Sequence, residues 1–535
     1  MNKLLGLMVT AWLSVGPAFL WGLSGQIKAP KGEESPEKRQ PHVQSASLHP
    51  RLGRALLEGG VLITATTIDY WRQYYDFKED WQFRMTWKDQ RRRFFTAESP
   101  KFDSNSFWYN WSHAMAGGYY YSAPRANGFS NRASFLFSLG LSAFWECVSE
   151  WREIISINDM IFSSFGGPAF GEPLFQVSSF FSHREGILNQ LACFAFSPFL
   201  AFNNWLDRKS GRAGNSGPEA LWHRFRLFAG PRAGSVSPSG THYRQFNLGL
   251  EMETNTAPDY GEAETFSRFL PDTVSSRIFL DLSYSPAGLE EFNLRTAAVL
   301  FGYGWQSLSQ GEDGTVRGFS GSVGAGCSFE TFRKRPVAWY DGRAQTPAGP
   351  GLEESRFWRP VPTRFTDKLS TLGLVGPVLQ VSAFGPRLRV RWLTEAYFDF
   401  ALINSLAYNR FTQTADNEGV KTTLLNWGYY YGLGATLSSD LDVDWRRWHL
   451  RGSFRYQRYG SIQGQDRFQF LGVVTRDFAL NDSRLVWKLW AGYRVSRTPF
   501  ELGLAAEGIR RRGSLLEIHE QTQEHRVCYQ LSVLF

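Results

Sequence analysis

Long alternating stretches constrain this chain more than any other feature. From Arg387 to Leu402 one face reads Leu388, Val390, Trp392, Thr394, Ala396, Phe398, Phe400, Leu402. The other reads Arg387, Arg389, Arg391, Leu393, Glu395, Tyr397, Asp399, Ala401. Alternation with period two marks a strand with one apolar face. Eight alternations are rare in a soluble sandwich strand, and they fit a strand with about 9–11 residues inside a bilayer. The pattern returns in Phe246 to Met252, Ile278 to Tyr284 and Leu485 to Val495. It closes with Val527, Tyr529, Leu531, Val533 and Phe535 on one face, the last being the final residue.

Thirteen candidate strands can be read between residues 219 and 535. A single-chain barrel with both ends on one side of the membrane needs an even number. One candidate is therefore missed, split or off the barrel, and twelve strands are expected, with fourteen possible. The expected fold class is α+β: an N-terminal helical domain followed by a C-terminal antiparallel transmembrane β-barrel. If the first strand leaves the periplasm, Lys334 to Lys368 and Asn404 to Thr423 fall outside the cell. Phe384 to Arg387 then becomes a tight periplasmic turn, whereas the long Asn255 to Ser275 connection fits less well. Mean hydropathy is −0.31 although aromatics reach 16%. That combination disfavours a helical membrane protein and suits strands that face lipid with every second residue. The terminal Phe535 strand resembles the signal that barrel-assembly machinery reads in bacterial outer-membrane proteins, so that machinery is an expected partner.

At the N-terminus Lys3 precedes an uncharged apolar stretch, Leu4 to Gly25, with Ser24 and Gly25 as small residues at a cleavage site. This reads as a signal peptide over residues 1–25, and its length leaves an uncleaved anchor as the alternative. Residues 26–50 read as a flexible linker, 51–211 as a helical domain and 219–535 as the barrel. The expected location is the bacterial outer membrane. Net charge is +8, with basic residues scattered among acidic ones. No nucleic-acid partner is expected. Outer-membrane lipids are, with lipopolysaccharide phosphates as the anionic component. Cys147, Cys193, Cys327 and Cys528 form no CxxC pair and lie near no histidine at metal spacing. No metal and no cofactor are expected. Spacing leaves open whether Cys147 and Cys193 pair.

Helical patterns run over Arg54 to Tyr75, Ala133 to Ile155, Asn158 to Phe181 and Glu185 to Trp205. Pro168 and Pro173 are expected to interrupt the third, and Pro198 to kink or end the fourth. Helices apolar nearly all round are buried or touch membrane. Two stretches here carry polar motifs. One holds Asn110-Trp-Ser-His113, Gly117-Gly118 and Arg125-Ala-Asn127-Gly128. The other holds Trp145-Glu146, Glu150, Ser156-Ile-Asn158-Asp159, Gly166-Gly167 and Gly171-Glu172-Pro173. Glu146 and Glu150 are four apart and expected to share a helix face. Ser156 is a candidate N-cap with Asp159 three residues on. Asp159, Ser163, Gly167 and Gly171 step by four, which predicts a groove for close helix packing.

The candidate cluster is His113, Arg125, Glu146, Glu150, Asn158, Asp159 and Glu172. Ionisable groups in an apolar layer are costly unless paired or used, so they should converge. His113 beside a carboxylate has the makings of a general base. There is no nucleophile elbow, P-loop or HExxH. These motifs resemble a bacterial family of exported proteins with a domain of unknown function and a barrel-like C-terminal region. Arg184-Glu185, Pro198 and Phe202-Asn203 extend the resemblance, which covers roughly residues 100 to 211. It departs at Ala114 and Pro124, and implies architecture and location, not activity. Two functions remain open: a barrel with a periplasmic or barrel-associated helical module serving transport or envelope maintenance, and a membrane-interface enzyme acting on lipid or glycan with His113 and the Glu146, Glu150 and Asp159 carboxylates.

Overall fold

In the computed structural model, residues 50–74, 82–207, 222–335, 367–411, 417–466, 474–496 and 498–534 are described. The signal peptide, nearly all of the linker and Phe535 lie outside them. Thirteen strands form one antiparallel sheet: β1 (Trp222–Ser237), β2 (Thr241–Asn255), β3 (Thr265–Leu270), β4 (Ser275–Ser285), β5 (Gly288–Gln310), β6 (Val316–Lys334), β7 (Asp367–Phe384), β8 (Leu388–Asn404), β9 (Tyr429–Trp445), β10 (Trp448–Ser461), β11 (Leu480–Arg494), β12 (Phe500–Leu515) and β13 (Ile518–Leu534).

β1 pairs with β13, and β5 with β6, so the sheet closes. Among the described strands only β3 stands outside the ring. It pairs with the far end of β5, Thr265 opposite Ser307, within the Asn255–Ser275 connection. Twelve strands thus make the barrel, and the thirteenth candidate is the one off it. The connection that fitted poorly as a long loop carries this extra strand.

The alternation sorts the two faces. Phe246, Phe398, Leu489 and Tyr529 point outward and are 53%, 51%, 60% and 63% exposed. The inward face is charged and buried. Near the end where β1 starts, Arg451 on β10 reaches Glu251 on β2 at 2.9 Å, and Arg391 on β8 holds Asp442 at 2.7 Å and Glu253 on β2. Toward the middle Arg455 on β10 meets Glu330 on β6 at 2.5 Å. Toward the other end Arg526 on β13 meets Glu291 on β5 at 2.7 Å, and Arg232 on β1 meets Asp281 at 2.6 Å. β2 lies five strands from both β10 and β8 in the twelve-strand ring, so Arg451–Glu251 and Arg391–Glu253 cross the lumen, while Arg391–Asp442 joins neighbouring strands.

The helical part comprises α1 (Leu52–Tyr74), α2 (Trp87–Phe95), α3 (Phe107–Ala126), α4 (Asn131–Phe144) continued by a π-turn (Trp145–Ser149), α5 (Ile157–Gly166), a second π-turn (Gly167–Gly171), α6 (Glu172–Ser182), α7 (Ile187–Phe196) and α8 (Pro198–Leu206). Two short helices, α9 (Leu406–Phe411) and α10 (Thr422–Trp427), lie between β8 and β9.

Several expectations need correction. α4 and its π-turn stop at Ser149, not Ile155. Pro168 and Pro173 do not interrupt the third helix, whose helical course runs unbroken from Ile157 to Ser182. Pro168 lies in the second π-turn and Pro173 just after it, where the hydrogen bonding already departs from the α-helical ladder that a proline would break. Pro198 does split the fourth helix, at Ser197. Helices α2 and α3 had no counterpart in the sequence reading.

The helical part neither plugs the barrel nor stands apart from it in the periplasm. It lies against the outer wall. Phe225, Ile278, Phe329, Phe400 and Tyr431 occupy outward positions yet are at most 3% exposed. Phe180, Phe170, Phe162 and Phe102 cover them, with ring centroids 4.7 to 5.8 Å apart in four of these contacts. The lumen is already taken by the ion pairs, and the apolar outer wall is the surface left to bury helices against.

Candidate functional site

Helix α3 carries Asn110, His113, Tyr121 and Arg125 along the seam it shares with α5 and α6. Small residues let the helices meet. A Cβ built on Gly117 would lie 1.8 Å from the Ser163 carbonyl oxygen, and one on Gly166 2.7 Å from Ala114 Cα. Glycine is required because backbone itself occupies the space.

At the upper part of this seam His113 Nε2 lies 3.4 Å from Asp159 Oδ1, and its Nδ1 3.5 Å from Ser163 Oγ. Ser156 caps α5, accepting from the Asp159 N–H at 3.3 Å. Its own N–H donates to Glu146 Oε2 at 3.0 Å. One donor atom each from His113, Glu146 and Asp159 falls within 4.8 Å of the others. Asn158 donates to Asp159 at 2.8 Å and to Asn110 at 2.9 Å, and accepts the Asp103 N–H at 2.7 Å. Asn110 accepts from the Tyr431 hydroxyl at 2.9 Å and donates to Tyr429 at 3.1 Å. The cluster is thereby tied to β9.

Glu150 was expected on the same helix face as Glu146. It instead follows the π-turn and accepts the Trp145 indole N–H at 2.9 Å. It lies outside the three-donor set.

Arg125 and Glu172 form a second centre. Two guanidinium nitrogens meet the two carboxylate oxygens at 2.8 Å each. Tyr121 and Gln176 donate to the same carboxylate at 2.8 and 2.6 Å. Arg125 is twelve residues beyond His113 on α3, about 18 Å along the axis at 1.5 Å per residue. The seven candidates therefore divide between two centres.

Arg93 went unremarked in the sequence. Its guanidinium, fully buried, donates to the carbonyls of Glu153 (2.7 Å), Cys147 (2.9 Å), Glu150 (3.1 Å) and Glu146. It thus satisfies the orphan carbonyls where α4 ends. Tyr429 and Tyr431 were also missed, although the Tyr429-Tyr-Tyr431 run at a strand start was visible. All four cysteines are free.

Chemically, one imidazole and two carboxyl groups with donor atoms this close are a set that suits a divalent cation. Without a cation it is a hydrogen-bonded network. His113, Glu146 and Asp159 are 8%, 1% and 2% exposed, which closes the set to bulk solvent.

The sequence model of a domain of unknown function (DUF3943) matches residues 99–199, the stretch that holds all seven candidates. No curated protein matches the chain. Among solved structures the chain is similar to the KdgM porin in complex with disordered oligogalacturonate, at 8% identity and TM-score 0.22, covering 58% of this chain and 99% of that one. It is also similar to a Pseudomonas aeruginosa FadL homologue (9%, TM-score 0.23, 58% and 90% covered) and to the Vibrio cholerae outer-membrane protein OmpT lacking loop L8 (5%, TM-score 0.22, 59% and 100%). At such scores these likenesses carry no weight, and the reading stands on the barrel itself. A closed ring leaves no ring edge unpaired, its outer face carries an apolar belt, and its buried charges point inward. The chain is an outer-membrane β-barrel protein.

Proposed function

We propose that this barrel serves envelope maintenance, as an anchor for its helical module, rather than passive diffusion of solutes. The observation that carries this is the set of lumen-crossing pairs, Arg451 to Glu251, Arg391 to Glu253 and Arg526 to Glu291. A water-filled pore needs an open polar interior, whereas these side chains bridge the walls at several levels. In planar bilayers the purified protein should give no stable ohmic channel at neutral pH. Replacing Arg391, Arg451, Arg455 and Arg526 together by alanine, so that each level loses its bridge, should introduce one. Porin-like steps from the unaltered protein would overturn the proposal.

A second reading rests on the three-donor set. His113, Glu146 and Asp159 hold a divalent cation that braces the seam between α3 and α5. Metal analysis of the purified full chain should then find about one zinc or manganese per chain, the usual complement of such a site. Glu146→Gln and Asp159→Asn should lose it. A metal-free protein whose thermal stability does not respond to added zinc or manganese would rule this reading out.

A further inference from the structure

The faces of the helical module turned away from the barrel are apolar. Leu57 and Val61 on α1, Leu136 on α4, Ile187 on α7 and Trp205 on α8 are 61 to 70% exposed. Exposed apolar area on this scale marks an interaction surface.

Three observations say what covers it. First, the surface continues the barrel's lipid-facing belt. On β8, Phe398 is 51% exposed while Phe400, next on the same face, is 1% exposed under the module. The module therefore takes the place of lipid along that wall, and its own outer face meets whatever the belt meets.

Second, the helices run along the wall rather than capping one end. α3 starts where Asn110 meets Tyr429 and Tyr431 at one rim. It ends where Arg125 meets Asp272, at 3.3 Å, at the other. α5 and α6 run the same way, from Asn158 beside Asp103 to Phe180 against His223 and Phe225. α1 runs back, from Arg51 bonded to Asn127 to Trp71 bonded to the Ser149 carbonyl. Its 23 residues span about 34 Å, against a hydrocarbon core of about 30 Å.

Third, charge is confined to the two rims. Arg51 and Arg54 with Asp207, Arg132, Arg184 and Glu185 gather at one. Asp69, Arg72, Lys88, Arg91 and Lys101 gather at the other. Between Gly186 and Leu206 there is no charged residue. Between Met160 and Ser182 the single charge is Glu172, which is buried.

We propose that the module lies within the bilayer beside the barrel, with the acyl chains of the membrane lipids as the partner of its outward face. No described helix is alone long and apolar enough to cross a membrane. None needs to be, because each presents only one face to lipid and turns its polar groups onto the seam and the barrel. The glycine-lined contact of α3 with α5 and α6 is the packing that membrane helices use where no hydrophobic drive separates helix from solvent. This inference requires the barrel to cross the membrane, but does not require its lumen to be closed.

The unaltered full chain tests it. The protein is reconstituted into vesicles containing a phosphatidylethanolamine with a diazirine in its acyl chain, irradiated, and its adducts mapped by mass spectrometry. Peptides of α1, α4 and α7 should be labelled within about threefold of the belt strands β11 to β13, since both would face the same hydrocarbon. Labelling confined to the barrel would overturn the proposal, whether the cause is a module in water or one covered by another protein. As a second measurement, Leu57→Asp and Leu136→Asp should each lower the yield of folded protein in vesicles, as should Leu489→Asp on the belt. Unchanged yield of both module variants, beside a loss for Leu489→Asp, would count equally against it.

Discussion

Gly117→Leu should separate α3 from α5 and unfold the helical module while leaving the barrel closed. A Cβ at Gly117 would sit 1.8 Å from the Ser163 carbonyl oxygen and 2.6 Å from its carbon. These are backbone atoms within a helix, so no rotamer change makes room. Overpacking costs about 1–3 kcal/mol where side chains can yield, and here the whole helix must move. The loss should reach or exceed the top of that range. It should appear as protease sensitivity of the Phe107 to Ser182 region with the heat-modifiable gel mobility of the barrel retained. Gly140→Leu is the control, because nothing lies within 4 Å of its built Cβ. That variant should be no less stable than the parent, because leucine is favoured over glycine in a helix interior by up to about 1 kcal/mol. Equal protease resistance of the two variants would refute the close-packed seam.

How much of this was legible depends on what each element packs against. Barrel strands separate lipid from lumen, so Arg387 to Leu402 shows its two faces in the sequence. The even number of strands could be required without knowing which candidate was surplus. β3 could not be singled out, because a six-residue strand off the ring looks like any other short alternating stretch. The four-residue steps through Ser163, Gly167 and Gly171 announced a packing groove, and Gly166, Gly167 and Gly171 do lie against α3 or α4.

Helix α3 itself was invisible. It touches α5, the second π-turn and β9, so it has no polar stripe to give a 3.6 period, and Gly117, Gly118 and Pro124 lower its propensity further. Tertiary packing overrides propensity there. The π-turns were equally hidden. Each adds a residue to a helical turn, and the first moves Glu150 out of the position that i,i+4 spacing assigns. Placement on the outer wall could not be read either. Outward residues on β8 are apolar under the module and under lipid alike, so Phe398 and Phe400 look the same in sequence.

Arg125→Met should cost about 3–5 kcal/mol, the range for removing one partner of a buried ion pair. Glu172 is 0% exposed, and the substitution would leave its carboxylate with only the Tyr121 hydroxyl and the Gln176 amide. Those two neutral donors cannot replace a bidentate guanidinium. Glu172→Gln should cost less, because Arg125 keeps the Phe129 carbonyl at 2.8 Å and Asp272 at 3.3 Å. The double variant, Arg125→Met with Glu172→Leu, removes both charges and fills similar volume. It should recover most of the loss, since replacing a buried pair by apolar groups is often neutral. Denaturant unfolding of the module in detergent, followed by near-ultraviolet circular dichroism, gives the three values and hence the coupling energy. Additive losses in the double variant would mean that Arg125 and Glu172 stabilise the module separately. The pair would then not be the unit that joins the α3 end of the seam to α6.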